Sequence, residues 1–197
     1  MDKKSVTQFF DHYAPDWDRN MVRNDGIIDR ILDNAGVKAG MRVLDVACGT
    51  GVLFPDYLAR DVKSVLGIDI SPVMVEIAEK KIADEPKIHV CLKDAENCSF
   101  DQCFDCIVIY NAFPHFPDPN LLVSNLTKYL APGGILSVAH GMSRENIDRH
   151  HSIGASTVSV GLMPELVLAE LLSKYLEVCV VISDDEMYQV AGKKIIF

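Results

Sequence analysis

The sequence lacks any long apolar run, and this absence limits the classes of protein to which it can belong. Its longest purely apolar stretches, such as Cys106–Tyr110 and Val178–Ile182, span five residues, whereas a membrane-spanning helix needs about 20. Met1–Tyr13 has no apolar segment of the kind that secretory signals carry. We therefore expect a cytoplasmic protein with no membrane span, whose six cysteines are reduced thiols.

Basic charge is also scarce. The chain has 19 Lys and Arg residues against 28 Asp and Glu residues, which gives a net charge of −9. Proteins that bind nucleic acids usually carry a basic patch, so we expect no nucleic-acid partner. With 197 residues and 49% apolar side chains, the chain is long enough to bury a core and too apolar to be disordered.

Short apolar runs of strand type alternate with helical stretches along most of the chain. The strand candidates are Arg42–Ala47, Ser64–Ile68, Lys87–Leu92, Phe104–Tyr110, Ile135–Ala139, Glu177–Ile182 and Met187–Ala191. Several of them are almost entirely apolar, which is typical of parallel strands covered on both faces. The alternation predicts an α/β fold, in which a doubly wound open sheet has helices on both faces.

No repeat or linker interrupts this pattern, so residues 1–197 are predicted to form a single domain. Two segments lie outside the alternation. Residues 1–24 begin with an amphipathic stripe of Val6, Phe9, Phe10 and Tyr13. Gly141–Met163 is a connection of about 23 residues after the fifth strand, and connections of that length are usually functional or structured. We predict that it is a cap insertion containing a helix that begins near Ser143.

The clearest functional motif is a strand that runs into a pair of glycines. Val43–Gly51 ends with Gly49 and Gly51, which permit backbone conformations and close ligand approach that a Cβ atom would block. The next strand ends in Asp69, 18 positions after Gly51. An acid in that place can accept both ribose hydroxyls of an adenosine. The sequence therefore predicts a site for an adenosine-containing ligand.

Two residues indicate which adenosine ligand this is. The dinucleotide pattern requires a third glycine at position 54, where the chain has Phe54. The first strand also carries Asp45, whose carboxylate would repel a pyrophosphate but would suit a ligand with an amino or sulfonium cation. This charge argument favours S-adenosylmethionine over NAD. A purely structural role for Asp45, in hydrogen bonds to the amides of the turn, is compatible with it.

Several motifs together resemble one family. They are Asp45–Gly51 with Asp69, Asp94-Ala95-Glu96, Phe104-Asp105 with Asn111 and Phe116-Pro117-Asp118, Leu130–Leu136, and Tyr13–Asp18. In these motifs the chain resembles the class I S-adenosylmethionine-dependent methyltransferases, and most nearly their menaquinone-biosynthesis-like branch, which acts on small molecules. The resemblance covers about residues 8–140 well and the end of the chain more loosely. It implies a Rossmann-like sheet of seven strands whose last strand is antiparallel, with residues 1–24 as an N-terminal lid.

The resemblance also implies roles for individual residues. The amides around Ala47 and Gly49, with Asp45 nearby, should hold the methionine portion, and Asp69 should accept the ribose hydroxyls. Asn111 should face the methionine end. The remaining candidate cofactor-binding residues are Ile70 and Ala95 at the adenine, Asp94 at its amino group, Tyr13 and Trp17 in the lid, and Cys48, Gly51 and Met74 around the turn.

Three histidines are candidate catalytic residues. His115 follows the fourth strand, His140 ends the fifth, and His151 lies in the cap insertion. Each could accept a proton from a methyl acceptor or could orient it. The structural alternative for His115 is a loop histidine bonded to nearby backbone. The alternative for the cap insertion is a solvated helix without a role in the site. Adjacent histidines on one helix cannot easily ligate one ion, and a single CxxC pair (Cys103–Cys106) is too small a zinc site, so we predict no metal.

The predicted function is S-adenosylmethionine-dependent methyl transfer to a small-molecule acceptor by direct in-line displacement, with S-adenosylhomocysteine as the product. One alternative is a binding module that holds this cofactor without chemistry. A nicotinamide-dependent oxidoreductase is the other, which Phe54 disfavours. The identity of the acceptor and the oligomeric state cannot be read from the sequence.

Overall fold

The computed structural model describes residues 1–150 and 157–195, and its centre is one sheet of seven strands. The strands are β1 (Arg42–Val46), β2 (Ser64–Asp69), β3 (Ile88–Leu92), β4 (Phe104–Tyr110), β5 (Leu130–His140), β6 (Glu177–Ser183) and β7 (Tyr188–Lys193). Their spatial order is β3-β2-β1-β4-β5-β7-β6. The order reverses between β1 and β4, which is the switch point where doubly wound sheets bind ligands.

The last strand runs against the others. Strands β1 to β5 pair in parallel, and β7 lies antiparallel between β5 and β6. The predicted seven-stranded, doubly wound sheet with an antiparallel last strand is therefore confirmed. The fifth strand is longer than predicted because it begins at Leu130 and passes through Pro132-Gly133-Gly134, where its register against β4 shifts.

Helices cover both faces of the sheet. They are α1 (Lys3–Tyr13), α2 (Trp17–Asn20), α3 (Asp25–Asn34), α4 (Phe54–Ala59), α5 (Pro72–Lys81), α6 (Pro119–Thr127), α7 (Arg144–His150) and α8 (Glu165–Ser173). Neighbouring residues of a strand enter different cores: in β4, Ile107 and Ile109 pack in the cluster that includes α6 and α8, whereas Val108 packs in the cluster that includes α3 and α5. This alternation is why the strands are apolar on both sides.

The two segments outside the alternation are both partly helical. Helix α1, a short 3-10 helix at Ala14–Asp16 and α2 form the N-terminal segment, and the side chain of Asp2 caps α1 by accepting the Ser5 amide hydrogen. In the insertion after β5, the Ser143 hydroxyl accepts the Asn146 amide hydrogen at the start of α7. The helix predicted near Ser143 is thus confirmed. Among the described residues, no helix is both long and apolar enough to cross a membrane.

Candidate active site

A cavity lies at the carboxyl ends of β1 to β4, under the N-terminal segment. Because these strands are parallel, their ends meet at one edge of the sheet, as the switch-point rule requires. Many of the residues singled out in the sequence line it: Trp17, Ala47, Cys48, Gly49, Asp69, Ile70, Met74, Asp94, Ala95, Asn111 and His115. Asp45, Gly51, Tyr13 and His140 are not in this lining.

The turn after β1 forms the floor of the cavity and depends on unusual backbone angles. Ala47 and Gly49 both have a φ of 55°, and Gly51 has a φ of 86°. The Cys48 amide donates to the Ile68 carbonyl on β2 at 3.1 Å, and the Gly51 amide donates to the Cys48 carbonyl at 2.9 Å. The turn is therefore a tight backbone loop held to β2, with its left-handed residues close to the cavity.

Phe54 explains the missing third glycine in physical terms. A Cβ atom on Gly51 would lie 2.4 Å from the Phe54 ring, and one on Gly67 would lie 3.0 Å from it. The ring is buried and fills the space between the turn and β2. In the dinucleotide pattern, the third glycine allows the helix to pack closely against the strand. Here the buried Phe54 ring, at the start of α4, packs against Gly67 of β2 in its place.

Asp69 ends β2 and is buried beside the turn. Its carboxylate accepts the amide hydrogens of Gly49 and Ser71, each at 2.9 Å, so it ties the turn to the start of α5. Burial raises the pKa of Asp69 and outweighs the opposing effect of these hydrogen bonds. An ionised carboxylate offers about four acceptor positions. Asp69 can therefore support the turn and still accept hydroxyl groups from a ligand in the cavity.

Asp45 lies at the end of β1, behind the turn, and is almost fully buried. Its Oδ2 atom has no hydrogen-bond partner among the described residues. Burial, with the nearby carboxylates of Asp69 and Asp56, raises the pKa of Asp45 well above its ordinary value. A buried carboxylate oxygen without a donor is costly, and an ammonium group is the kind of partner that would satisfy it.

The segment after β3 forms the other end of the cavity. Asp94 is about one-third exposed, and its Oδ2 atom lies 2.5 Å from Lys3 Nζ and 2.9 Å from Asn97 Nδ2. Burial raises the pKa of Asp94, but the hydrogen bonds from Lys3 and Asn97 outweigh burial and lower it overall. Ala95 and Ile70 line the same cavity. A hydrogen-bond acceptor such as Asp94 suits the edge of a heteroaromatic ring, and the apolar side chains beside it suit the faces of the ring.

The N-terminal segment covers the cavity, with one difference from the prediction. Trp17 lines the cavity, and its ring lies 5.6 Å from that of Phe10. Tyr13 is 46% exposed, lies outside the lining, and packs on Phe9 instead. Phe10 lines the cavity. The amphipathic stripe predicted that Phe10 is buried, but it did not predict that Phe10 lines the cavity.

Asn111 follows β4 with a φ of 53°, which is unusual outside glycine but more common for asparagine. Its side-chain Oδ1 accepts the Gly141 amide hydrogen at 2.9 Å, and its own amide donates to the Ala139 carbonyl. These bonds to the end of β5 hold the residue in this conformation. Asn111 thus lines the cavity in a fixed orientation.

His115 ends a short 3-10 helix, Phe113–His115, and lines the cavity. Its Nδ1 atom lies 2.7 Å from the Val158 carbonyl oxygen, and its ring meets the Phe10 ring edge-on at 5.0 Å. A carbonyl oxygen only accepts hydrogen bonds, so Nδ1 carries the hydrogen and, in the neutral ring, Nε2 carries the lone pair. The structure therefore brings His115 into contact with the cavity, the lid and the cap insertion.

The other two candidate histidines are placed differently. His140 is the last residue of β5, where it is buried opposite Tyr188 of β7, with the two rings 6.1 Å apart. The structure does not bring it into the cavity lining. His151 lies outside the described residues. Within the part of the chain that the structure describes, no group of three or more His, Cys, Asp or Glu side chains could hold a metal ion.

The residues present fit S-adenosylmethionine. The buried Asp45 oxygen without a donor suits its amino group, and Asp69 suits ribose hydroxyls.

Comparisons with known proteins give the same answer. Residues 43–134 match a family model described as a methyltransferase domain. The chain is 28% identical over 195 residues to a malonyl-[acyl-carrier protein] O-methyltransferase of Ilyobacter polytropus, covering 98% of this chain and 67% of that protein. It is 33% identical over 111 residues to a demethylmenaquinone methyltransferase of Staphylococcus aureus, covering 54% of this chain. That match spans 46%, or about half, of the relative's own length.

A solved structure shares the fold. The N-methyltransferase NodS from Bradyrhizobium japonicum, in complex with S-adenosylhomocysteine, superposes with a TM-score of 0.75 at 16% sequence identity. The match covers 96% of this chain and 98% of that one. The family match, the relatives and the motifs around the cavity lead to one conclusion: residues 43–134 of the chain are a methyltransferase domain, and S-adenosylmethionine is its cofactor.

Proposed function

We propose that the chain transfers a methyl group from S-adenosylmethionine to a small-molecule acceptor held in the same cavity. One observation supports this most directly. The cavity that Asp69, Asp94 and the glycine turn line is also lined by His115. The N-terminal segment of the chain covers this cavity. A cavity covered by part of the chain suits a small acceptor better than a folded macromolecule. A cytoplasmic location and the lack of a nucleic-acid partner, both expected from the sequence, remain part of this proposal.

The cofactor-binding roles follow the order of the strand ends. Asp45 and the amides of the turn would hold the amino-acid end, and Asp69 would accept the ribose hydroxyls. Asp94 would accept from the adenine amino group beside Ile70 and Ala95. The bound cofactor supplies an activated methyl group and leaves as S-adenosylhomocysteine. Each assignment is an interpretation that binding measurements on single variants can test.

The chain's own contribution to the reaction would be mainly positioning. A direct displacement needs the acceptor lone pair in line with the methyl group and needs little covalent help from protein. Holding two reactants in such a geometry can supply roughly 7–11 kcal/mol of the barrier. Trp17, Phe10 and Met21 line the cavity from the N-terminal segment, so closure of this segment would orient the acceptor and exclude water.

His115 is the best candidate for a base. Its Nδ1 hydrogen points at the Val158 carbonyl oxygen, which leaves the basic lone pair on Nε2. This base would matter only for an acceptor that carries a proton at neutral pH. His140 is buried in the sheet and is not in the cavity lining, so His115 is favoured over it. His151 lies outside the described residues and stays a candidate.

Acceptor-panel assays test the proposal. Purified protein with S-adenosylmethionine should release S-adenosylhomocysteine when a suitable quinone, phenol, thiol or amine is added. A chain that binds S-adenosylhomocysteine but releases none with any acceptor would instead be the non-catalytic binding module. A chain whose S-adenosylhomocysteine is displaced by NAD would be the oxidoreductase.

A further inference from the structure

The side chain of Glu96 joins three parts of the molecule at one end of the cavity. Glu96 is 2% exposed and directly follows Asp94 and Ala95. Its Oε1 atom accepts the Asp118 amide hydrogen at 2.8 Å, and its Oε2 atom lies 2.5 Å from Lys3 Nζ. A buried carboxylate requires such partners. One oxygen therefore binds the loop after β4, while the other binds the N-terminal helix.

Lys3 belongs to the first turn of α1 and contacts a second carboxylate. Its Nζ atom lies 2.5 Å from Asp94 as well as from Glu96. Burial lowers the pKa of Lys3, but the hydrogen bonds that Lys3 donates to both carboxylates outweigh burial and raise it overall, so the ammonium stays charged. Val6 and Phe10 follow at helical spacing and also line the cavity. The ion pairs thus fix the face of α1 that covers the cavity.

We propose that Glu96 is a positioning residue that latches α1 across the proposed adenine end of the cavity through Lys3. The same carboxylate holds the loop of Phe116 to Asp118, which forms another wall, through the Asp118 amide. Cofactor exchange then requires the Lys3 contacts to break. This inference rests on the cofactor site proposed above, and it adds a gate that the family assignment alone does not supply.

The geometry around the ligand space explains why the latch would control exchange. Ala47, Gly49 and Asp69 line the cavity from the sheet, whereas Lys3, Phe10 and Trp17 line it from the lid. A ligand between these two layers lies under the lid, so movement of the lid would widen its path to solvent.

Two further contacts fasten the later part of the lid. Asp11 accepts the Ser71 hydroxyl hydrogen at 2.5 Å, and Asp18 lies 2.5 Å from Lys81 Nζ. The Lys3 contacts fasten its beginning, so the first turn of α1 can open while the later part stays attached.

The substitution Glu96→Gln separates the two roles of this side chain. Glutamine keeps an oxygen that can accept the Asp118 amide hydrogen, but it loses the charge that attracts Lys3. Lys3→Met removes the other partner of the pair. Lys4→Met is the matched control, because Lys4 is an exposed lysine next to Lys3 on the same helix and its replacement changes the net charge equally.

Stopped-flow fluorescence of Trp17 is the direct measurement. Trp17 is the sole tryptophan and lines the cavity from the lid, so its emission should report S-adenosylhomocysteine binding and release. In Glu96→Gln and in Lys3→Met, we expect dissociation to become about tenfold faster or more, as is typical when one partner of a buried charged pair is lost. Association should become faster as well, because the free protein is also latched. Equilibrium affinity should therefore change less than either rate.

The outcomes separate the latch from simpler explanations. Rates in both variants that equal those of the parent and of Lys4→Met would overturn the latch. Faster dissociation without faster association would also overturn it, since that pattern indicates a damaged site. The double variant should match Lys3→Met, because that variant has already lost the Glu96 contact, whereas Glu96→Gln alone keeps the Lys3 contact with Asp94. Should Glu96→Gln fail to fold, Lys3→Met alone decides. A parent protein that does not bind S-adenosylhomocysteine would refute the proposed function instead.

Discussion

Asp45→Asn should make the free protein more stable while weakening its affinity for the cofactor. The Asp45 carboxylate is almost fully buried, and one of its oxygens has no partner among the described residues. Burial and the nearby carboxylates of Asp69 and Asp56 raise its pKa, so the ionised form is the disfavoured form in the free protein. Asparagine has nearly the same shape and carries no charge. The substitution removes the penalty for burying that charge.

The expected magnitudes follow from the burial and the missing partner. An amide at position 45 is still a buried polar group, so the substitution removes only the extra cost of the charge, which is about 1–3 kcal/mol. In a domain of this size, about 1 kcal/mol shifts the melting temperature by roughly 2–4 °C, so Asp45→Asn should raise that of the free protein by about 2–12 °C. Asp45 does not line the cavity, so its charge would act on the ligand's ammonium group from behind the turn, and its loss should weaken S-adenosylhomocysteine binding by about 1.5–3 kcal/mol, or roughly 10- to 150-fold.

The pH dependence provides an internal check. An acid whose folded pKa is raised contributes stability that is present below its ordinary pKa of 3.8 and is lost as the pH rises through the folded pKa. The stability advantage of Asp45→Asn over the parent should therefore be largest at neutral pH and should shrink as the pH falls towards 4. Scanning calorimetry at several pH values measures this, and titration calorimetry measures the affinity.

Asp105→Asn is the matched control, because it is the same substitution at a carboxylate with the opposite environment. Asp105 accepts the Arg42 amide hydrogen at 2.8 Å and pairs with the Arg42 guanidinium. Burial raises the pKa of Asp105, but these contacts outweigh burial and lower it overall. Its replacement should destabilise the protein at neutral pH and leave S-adenosylhomocysteine affinity unchanged. If Asp45→Asn lowered the melting temperature as well, or bound the ligand as tightly as the parent, the reasoning about Asp45 would be wrong.

Three further predictions concern the cavity. Asp69→Ala should weaken S-adenosylhomocysteine binding by about 1.5–3 kcal/mol in titration calorimetry, and unchanged affinity in a folded variant would place the ribose elsewhere. His115→Gln should lower turnover by roughly 10²–10⁴-fold with S-adenosylhomocysteine affinity unchanged, whereas His140→Gln should lower turnover less; the reverse ranking in steady-state kinetics would favour His140. Gly51→Ala should lower both the melting temperature and the affinity for S-adenosylhomocysteine. The added Cβ atom would clash with the Phe54 ring, and the backbone φ of 86° is strained for alanine. A variant that matched the parent in both measurements would contradict this.

The sequence was sufficient to predict the features that depend on neighbouring residues. Each strand is a local apolar run, and the glycine turn is a local motif. Asp69 and Asp94 could be placed at one edge of the sheet because parallel strands end at the same edge. Ala47, Cys48 and Gly49, which were predicted at the turn, line the cavity for the same reason.

Features that depend on contacts between distant segments could not be predicted in this way. Lys3 and Glu96 are far apart in the chain, and neither has a local pattern that indicates their 2.5 Å contact. Tyr13 and Phe10 belong to the same amphipathic stripe, and only the packing of α1 shows that Phe10 lines the cavity while Tyr13 does not. His140 ends a strand at the correct edge, but pairing with β7 buries it opposite Tyr188. A strand-end rule predicts the edge, not the direction of each side chain.

The cavity concentrates features that cost folding energy. Among the described non-glycine residues, Ala47, Asp61 and Asn111 have positive φ values, and the first and last of these line the cavity. Asp45 and Asp69 are both buried, and they lie close enough for the Asp69 carboxylate to disfavour ionisation of Asp45. Strain of this kind persists where the surrounding structure over-determines it, and it clusters at functional sites. A bound cation beside Asp45 would relieve part of this cost, so ligand binding should stabilise the protein by more at neutral pH than near pH 4, where Asp45 is already protonated.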